Sequence, residues 1–203
     1  MNLNQIKSWK QSTELKILES QALNAYLIGS RVYGTSLPTS DYDFLFILMG
    51  GKEDIKYIDG YNILTKSIDS YKDSIKEHSM LSLECCFSPN EFKLKETTKV
   101  EFALNKTKLL EATTKNSIKS FVRAKKEFES GNVYVGQKRI FHSLRVLNFA
   151  KQIVTNNKIT DYSSANHLWE EIYTNPNQFF DSYTEWHTLH YNVLCKELEK
   201  LCK

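Results

Sequence analysis

Two short apolar runs, each stopped by glycine, dictate what the first half of this chain can become. Ala25-Tyr26-Leu27-Ile28 ends at Gly29-Ser30. Phe44-Leu45-Phe46-Ile47-Leu48, entered through Asp41-Tyr42-Asp43, closes near Gly50-Gly51. Apolar runs of this length between turn formers are the pattern of buried strands. The intervening residues 31–40 are rich in Gly, Thr, Ser and Pro, which predicts a short helix or turn and then a loop. Residues 56–65 (KYIDGYNILT) predict another strand, and Ser67 the cap of a helix over 68–78. Residues 80–87 (MLSLECCF) predict a further buried strand, ended by Ser88-Pro89. Ahead of these, residues 3–22 have helical spacing, split between a stripe of Ile6, Trp9 and Ile17 and one of Leu15, Leu18 and Ala22.

Past residue 105 the period changes. Helical spacing dominates over 107–129, 137–155, 163–173 and 179–202, with breaks at Ser130-Gly131-Asn132, Asn156-Asn157 and Asn175-Pro176. The expected class is α+β: a small mixed-sheet domain over 1–105, then an α-helical domain over 106–203. A net charge of +3 permits phosphate binding but falls short of the basic surplus of a dedicated nucleic-acid binder. No stretch approaches the roughly 20 apolar residues of a membrane span, and the polar start MNLNQIKSWKQ lacks a signal-peptide core. A cytoplasmic protein with no membrane partner is therefore expected. Cys85, Cys86, Cys195 and Cys202 form no CxxC pair and no zinc spacing with histidine, so reduced structural thiols are expected.

The chemistry concentrates in residues 29–43, GSRVYGTSLPTSDYD. Side chains alternate along a strand, so Asp41 and Asp43 share a face. Two carboxylates side by side repel each other and resist desolvation, and a cation relieves both costs. Mg²⁺ or Mn²⁺ suits such a pair, because it binds through one or two carboxylates plus substrate phosphates. Gly29 lets a phosphate come close to the backbone, Ser30 offers a hydroxyl, Arg31 adds charge, and Gly34 allows the following turn. Together these parts would hold a metal-bound nucleoside triphosphate.

The stretch resembles the signature of the DNA polymerase β-like nucleotidyltransferase superfamily, in which a Gly-Ser turn precedes an acidic pair on the next strand. Within it, residues 29–43 are most similar to a subfamily of bacterial and phage nucleotidyltransferases, some associated with RNA repair. MLSLECCFSP is similar to a strand of that subfamily carrying a Glu in an apolar run. The resemblance implies two metal ions and a third carboxylate on a neighbouring strand, for which Glu84 is the candidate and Asp59 the competitor. It further implies attack of an acceptor hydroxyl on the α-phosphorus of an NTP, with pyrophosphate leaving and the third carboxylate assisting deprotonation. The acceptor stays open among an RNA end, a protein side chain and a small molecule. A non-catalytic nucleotide-binding or antitoxin-like module is the alternative.

In the helical half, Lys138, His142 and Arg145 fall on one face of a helix whose other face carries Ile140, Phe141, Leu144, Leu147 and Val154. That basic stripe is either a solvated face or a lining that meets phosphates or base edges. The subfamily resembles this chain in having such a helix, which favours the second reading. Arg139 and His142 are too close for a ribonuclease pair. His187 and His190 beside Trp186 read as helix surface or packing, and Tyr173, Phe179, Phe180, Tyr183 and Trp186 as helical core.

Overall fold

The computed structural model describes residues 12–174 and 179–203. The fold is α+β, and the chain divides into two compact units. One takes the residues up to Lys76 together with Leu81–Phe102; the other takes Glu77–Met80 together with Ala103–Lys203.

The first unit is a five-stranded mixed sheet with short helices. Its elements run α1 (Thr13–Gln21), β1 (Ala22–Ile28), α2 (Ser30–Tyr33), β2 (Tyr42–Leu48), β3 (Asp54–Ile58), β4 (Tyr61–Ser67), α3 (Ile68–Lys76), α4 (Met80–Cys86) and β5 (Lys93–Glu96). The strands lie in the order β3-β4-β2-β1-β5. β2 runs parallel to β4; the other neighbours are antiparallel. Phe44, Leu45, Phe46 and Ile47 are all buried, odd and even positions alike. Both faces of the central strand are therefore covered, which is why its sequence is a continuous apolar run and not an alternation. Ser67 caps α3 as expected, its hydroxyl accepting from the Ser70 N–H at 3.1 Å. Of the helical spacing over 3–22, Thr13–Gln21 forms α1, capped by Ser12, whose hydroxyl accepts from the Leu15 N–H at 3.2 Å; residues 3–11 lie outside the described residues.

Two sequence expectations fail here. Residues 56–65 are not one strand but a hairpin, β3 and β4, folded at Asp59-Gly60 with φ of 49° and 86°. Asp-Gly is the pair that a two-residue turn with both φ positive prefers. Residues 80–87 form helix α4 and not a strand. An apolar run of that length fits either element, and periodicity alone does not separate them.

Among its described residues the second unit has four helices: α5 (Lys106–Glu129), α6 (Val133–Asn156), α7 (Asn166–Thr174) and α8 (Asp181–Cys202). Gly131 (φ 80°) and Asn157 (φ 56°) make the breaks after α5 and α6. Glu77–Met80 belongs to this unit through His78, whose Nε2 accepts from the Asn105 backbone N–H at 3.0 Å, and through Glu77, which pairs with Lys108 at 3.0 Å. α6 is central, with Ile140, Leu144, Val146, Leu147, Phe149 and Ala150 fully buried. The aromatic cluster is only partly core. Tyr183 is buried and Phe180 and Trp186 pack against the core, while Tyr173 and Phe179 stand largely exposed. No helix among the described residues is long and apolar enough to cross a membrane.

Candidate active site

Strand directions bring the sequence motif together at one end of the sheet. β1 and β2 are antiparallel with Ile28 opposite Asp43, so Gly29-Ser30 leaves β1 where Asp41-Tyr42-Asp43 enters β2. β4 is parallel to β2 with Asn62 opposite Asp43, so its start lies at the same end.

Asp41 precedes β2 and is exposed; Asp43, two residues on, is half-buried. Their carboxylates converge on one group. The Asn62 side-chain Nδ2 donates to Asp43 Oδ1 at 3.0 Å and, more weakly, to Asp41 Oδ2 at 3.4 Å. Gly29 is pressed against the same pair. Its φ of 81° already favours glycine, and a Cβ there would lie 2.5 Å from Asp43 Oδ2. The bare face of this glycine is thus occupied by the carboxylate itself. Ser30 opens the four-residue helix α2, and its hydroxyl makes no hydrogen bond within the described residues.

Arg31 is used differently from the expectation. Its Nε donates to the Asp41 carbonyl at 3.2 Å, its Nη2 donates to the Ser40 carbonyl, and its guanidinium stacks 3.7 Å from the Tyr42 ring centroid. The side chain braces the backbone that carries the two aspartates. Tyr33, at the end of α2, donates its hydroxyl to Glu84 Oε2. Glu84 is buried on α4, and this contact ties α2 to it. The placement differs from the expected third carboxylate on a neighbouring strand: among the described residues no group of three His, Cys, Asp or Glu side chains is placed to hold a metal ion. Asp59 sits in the β3–β4 turn and accepts from the Ser12 hydroxyl.

The donor set at the sheet end is therefore two carboxylates and an amide. It fits one hard divalent cation of the Mg²⁺ or Mn²⁺ kind, with substrate phosphates completing the oxygens. Asn62 is the residue that sequence reasoning misses. An amide in a strand carries no signal by itself; its role follows only from the Asp-Gly turn and the β2–β4 register.

The basic stripe of the helical unit is not a stripe. Arg145 is buried, with its guanidinium 5.3 Å from the Phe149 ring centroid and its Nη2 2.8 Å from His142 Nδ1. Arginine only donates, so His142 Nδ1 accepts and Nε2 carries the ring proton. Burial, reinforced by Arg145 and Arg139, holds His142 neutral down to about 3. Lys138 lies over the Tyr134 ring at 5.0 Å. The cysteines are free thiols, and burial pushes Cys85 well up and Cys86 up to about 11, which makes both poor nucleophiles.

A Gly-Ser turn and paired aspartates thus meet at one end of the small mixed sheet of an α+β domain. The sequence pattern of the nucleotidyltransferase domain matches residues 10–116, more than half of the chain. The chain belongs to this family. No individual curated protein matches it.

Proposed function

We propose that the chain is a metal-dependent nucleotidyltransferase that moves a nucleoside monophosphate from an NTP to an acceptor hydroxyl. The observation that carries this reading is the convergence of Asp41 and Asp43 on one point beside the Gly29-Ser30 turn. A divalent cation bound there would neutralise phosphate charge and stabilise the departing pyrophosphate. Asp41 and Asp43 hold that cation, and Arg31 keeps their backbone in place. Asn62 carries a donor and an acceptor on one amide, so it serves the pair as a donor without metal and can turn its oxygen towards a cation. Ser30 offers its hydroxyl to a phosphate oxygen. Glu84 and Tyr33 fix the helix that follows Ser30, a supporting role in place of proton transfer.

One observation favours a second reading. An amide, and not an acid, faces Asp43 on β4, which suits nucleotide binding without turnover.

Incubation with each α-³²P-labelled NTP and Mg²⁺ or Mn²⁺, alongside pooled RNA, cell lysate and small hydroxyl compounds, separates the two. Label transfer that disappears in Asp43→Ala is the expected result, and the labelled fraction names the acceptor class. Nucleotide binding without transfer to any fraction would leave the binding module as the reading.

A further inference from the structure

Helix α5 carries seven basic and three acidic residues, a surplus larger than the +3 of the whole chain. Lys115, Lys119 and Arg123 recur every four residues, which places them on one face. Like charges at this spacing repel one another. Among the described residues none of the three has a carboxylate partner. Of the two acids that flank this row at the same spacing, Glu127 is taken by Arg139 at 3.0 Å, and Glu111 makes no ion pair among the described residues. A merely solvated helix face would ordinarily intersperse acids at these positions.

The three cations do not project from a convex surface. They rim a cleft of about 370 Å³ within the helical unit, which Arg139 and His142 of α6 also line. Small side chains, Ala112 and the buried Ser120, leave its floor open. Asn116 adds a polar group between the cations.

The geometry points to a single-stranded nucleic acid, held in this cleft by its phosphodiester backbone. Phosphate chemistry is selected because the lining offers cations and neutral donors and no acidic side chain. A polymer, and not a lone nucleotide, is selected by the spacing. Four residues of helix advance about 6 Å, so Lys115, Lys119 and Arg123 form a ladder over about 12 Å, a length that spans successive phosphates of one strand. This inference is independent of the nucleotidyl-transfer reading, because every group it uses lies in the helical unit.

The test is fluorescence anisotropy of labelled 12-nucleotide RNA and DNA strands with the full chain in EDTA, repeated in Asp43→Ala so that the aspartate pair contributes nothing. Binding should fall with salt at a log–log slope of roughly −2, as about three phosphate contacts on a single strand give. The triple variant Lys115→Ala, Lys119→Ala, Arg123→Ala should lose at least about tenfold in affinity and most of that slope. Lys125→Ala, off this face of α5 and outside the cleft lining, should bind as the parent does. Circular dichroism melting checks that the variants fold, and Lys119→Glu alone should reproduce most of the loss. The inference is overturned by no strand binding at low salt, by a triple variant that binds unchanged, or by equal loss in Lys125→Ala. Displacement by ATP or pyrophosphate at matched phosphate concentration would replace the polymer with a free-nucleotide site.

Discussion

Asp41 and Asp43 on β2, and Lys138, His142 and Arg145 on α6, pose the same sequence problem: polar side chains on one side of a regular element. The structure leaves the first set at an open sheet end and takes Arg145 of the second into the interior, against His142. The difference lies in how many neighbours an element has. At a strand entrance the i, i+2 relation is fixed by the backbone, and the open end of the sheet leaves both acids room for water or a ligand. A helix face means nothing until the packing around it is known. α6 is enclosed by α5, α7 and α8, so positions that would be solvated on an edge helix are interior: Gln137, Ser143 and Arg145 are all buried. The basic face that is solvated belongs to α5.

The largest test of this contrast is loss of the pair itself. Asp43→Ala should lower nucleotidyl transfer by on the order of 10²–10³-fold or more, comparable to removing one preorganised charge-stabilising group. It should leave the melting temperature of the metal-free protein equal or higher, because a repelling neighbour of Asp41 is gone. Thermal melting with Mn²⁺ and a triphosphate should show the ligand-induced rise in the parent and none in the variant. A variant with parental activity would move the metal site elsewhere.

Two glycines sharpen the comparison, one in each unit. Gly29→Ala puts a methyl against the Asp43 carboxylate at a positive φ, and Gly136→Ala puts one into the Phe128 ring where α5 and α6 meet. Each should cost about 1–3 kcal/mol in chemical denaturation. Only Gly29→Ala should also abolish Mn²⁺ binding, measured by electron paramagnetic resonance. Equal loss of metal binding in both would mean that general destabilisation, and not the carboxylate contact, sets the site.

The sequence showed the pair, the turn before it and the helical second half because each rests on local rules: alternation, glycine at a positive φ, and a period of 3.6. It misplaced the element that carries Glu84, a helix and not a strand. Inside MLSLECCF a buried acid looks like a strand residue looking for a metal, and only the fold reveals the Tyr33 hydroxyl that satisfies it. Asn62 was hidden for the converse reason, since its importance is a matter of register. Lys115, Lys119 and Arg123 were within reach of sequence reasoning. Their four-residue spacing is plain, but spacing alone does not tell a cleft lining from a solvated face.

Glu84 supplies a smaller and cleaner effect. Glu84→Ala removes an acceptor from the buried end of Tyr33 and should cost about 1–3 kcal/mol. Glu84→Gln keeps an oxygen in place and should recover much of it. On the supporting role proposed for it, transfer activity should follow stability across the two variants. An activity loss in Glu84→Gln of the size seen in Asp43→Ala, with stability retained, would return Glu84 to the chemistry.

The smallest effect concerns pH and returns to the helical unit. His187 is buried on α8, stacked on Phe121 with ring centroids 3.6 Å apart and 2.8 Å from the Ser143 hydroxyl. Burial, with His190 nearby, lowers its ionisation to about 4 from the usual 6.5. In the unfolded chain it takes up a proton below about 6.5; in the folded chain it does not until about 4. The unfolded state therefore binds more protons across that window, and stability falls as pH drops from 6.5 towards 4 and levels off below. His142 acts in the same direction over a window reaching about 3. Carboxylates titrate in the lower part of the same range, so the difference between parent and His187→Gln isolates the group. Melting temperatures taken between pH 7 and 4 should decline less steeply in the variant, whatever its absolute stability. Parallel lines would mean that His187 protonates in place, with Phe121 and Ser143 accommodating the charge.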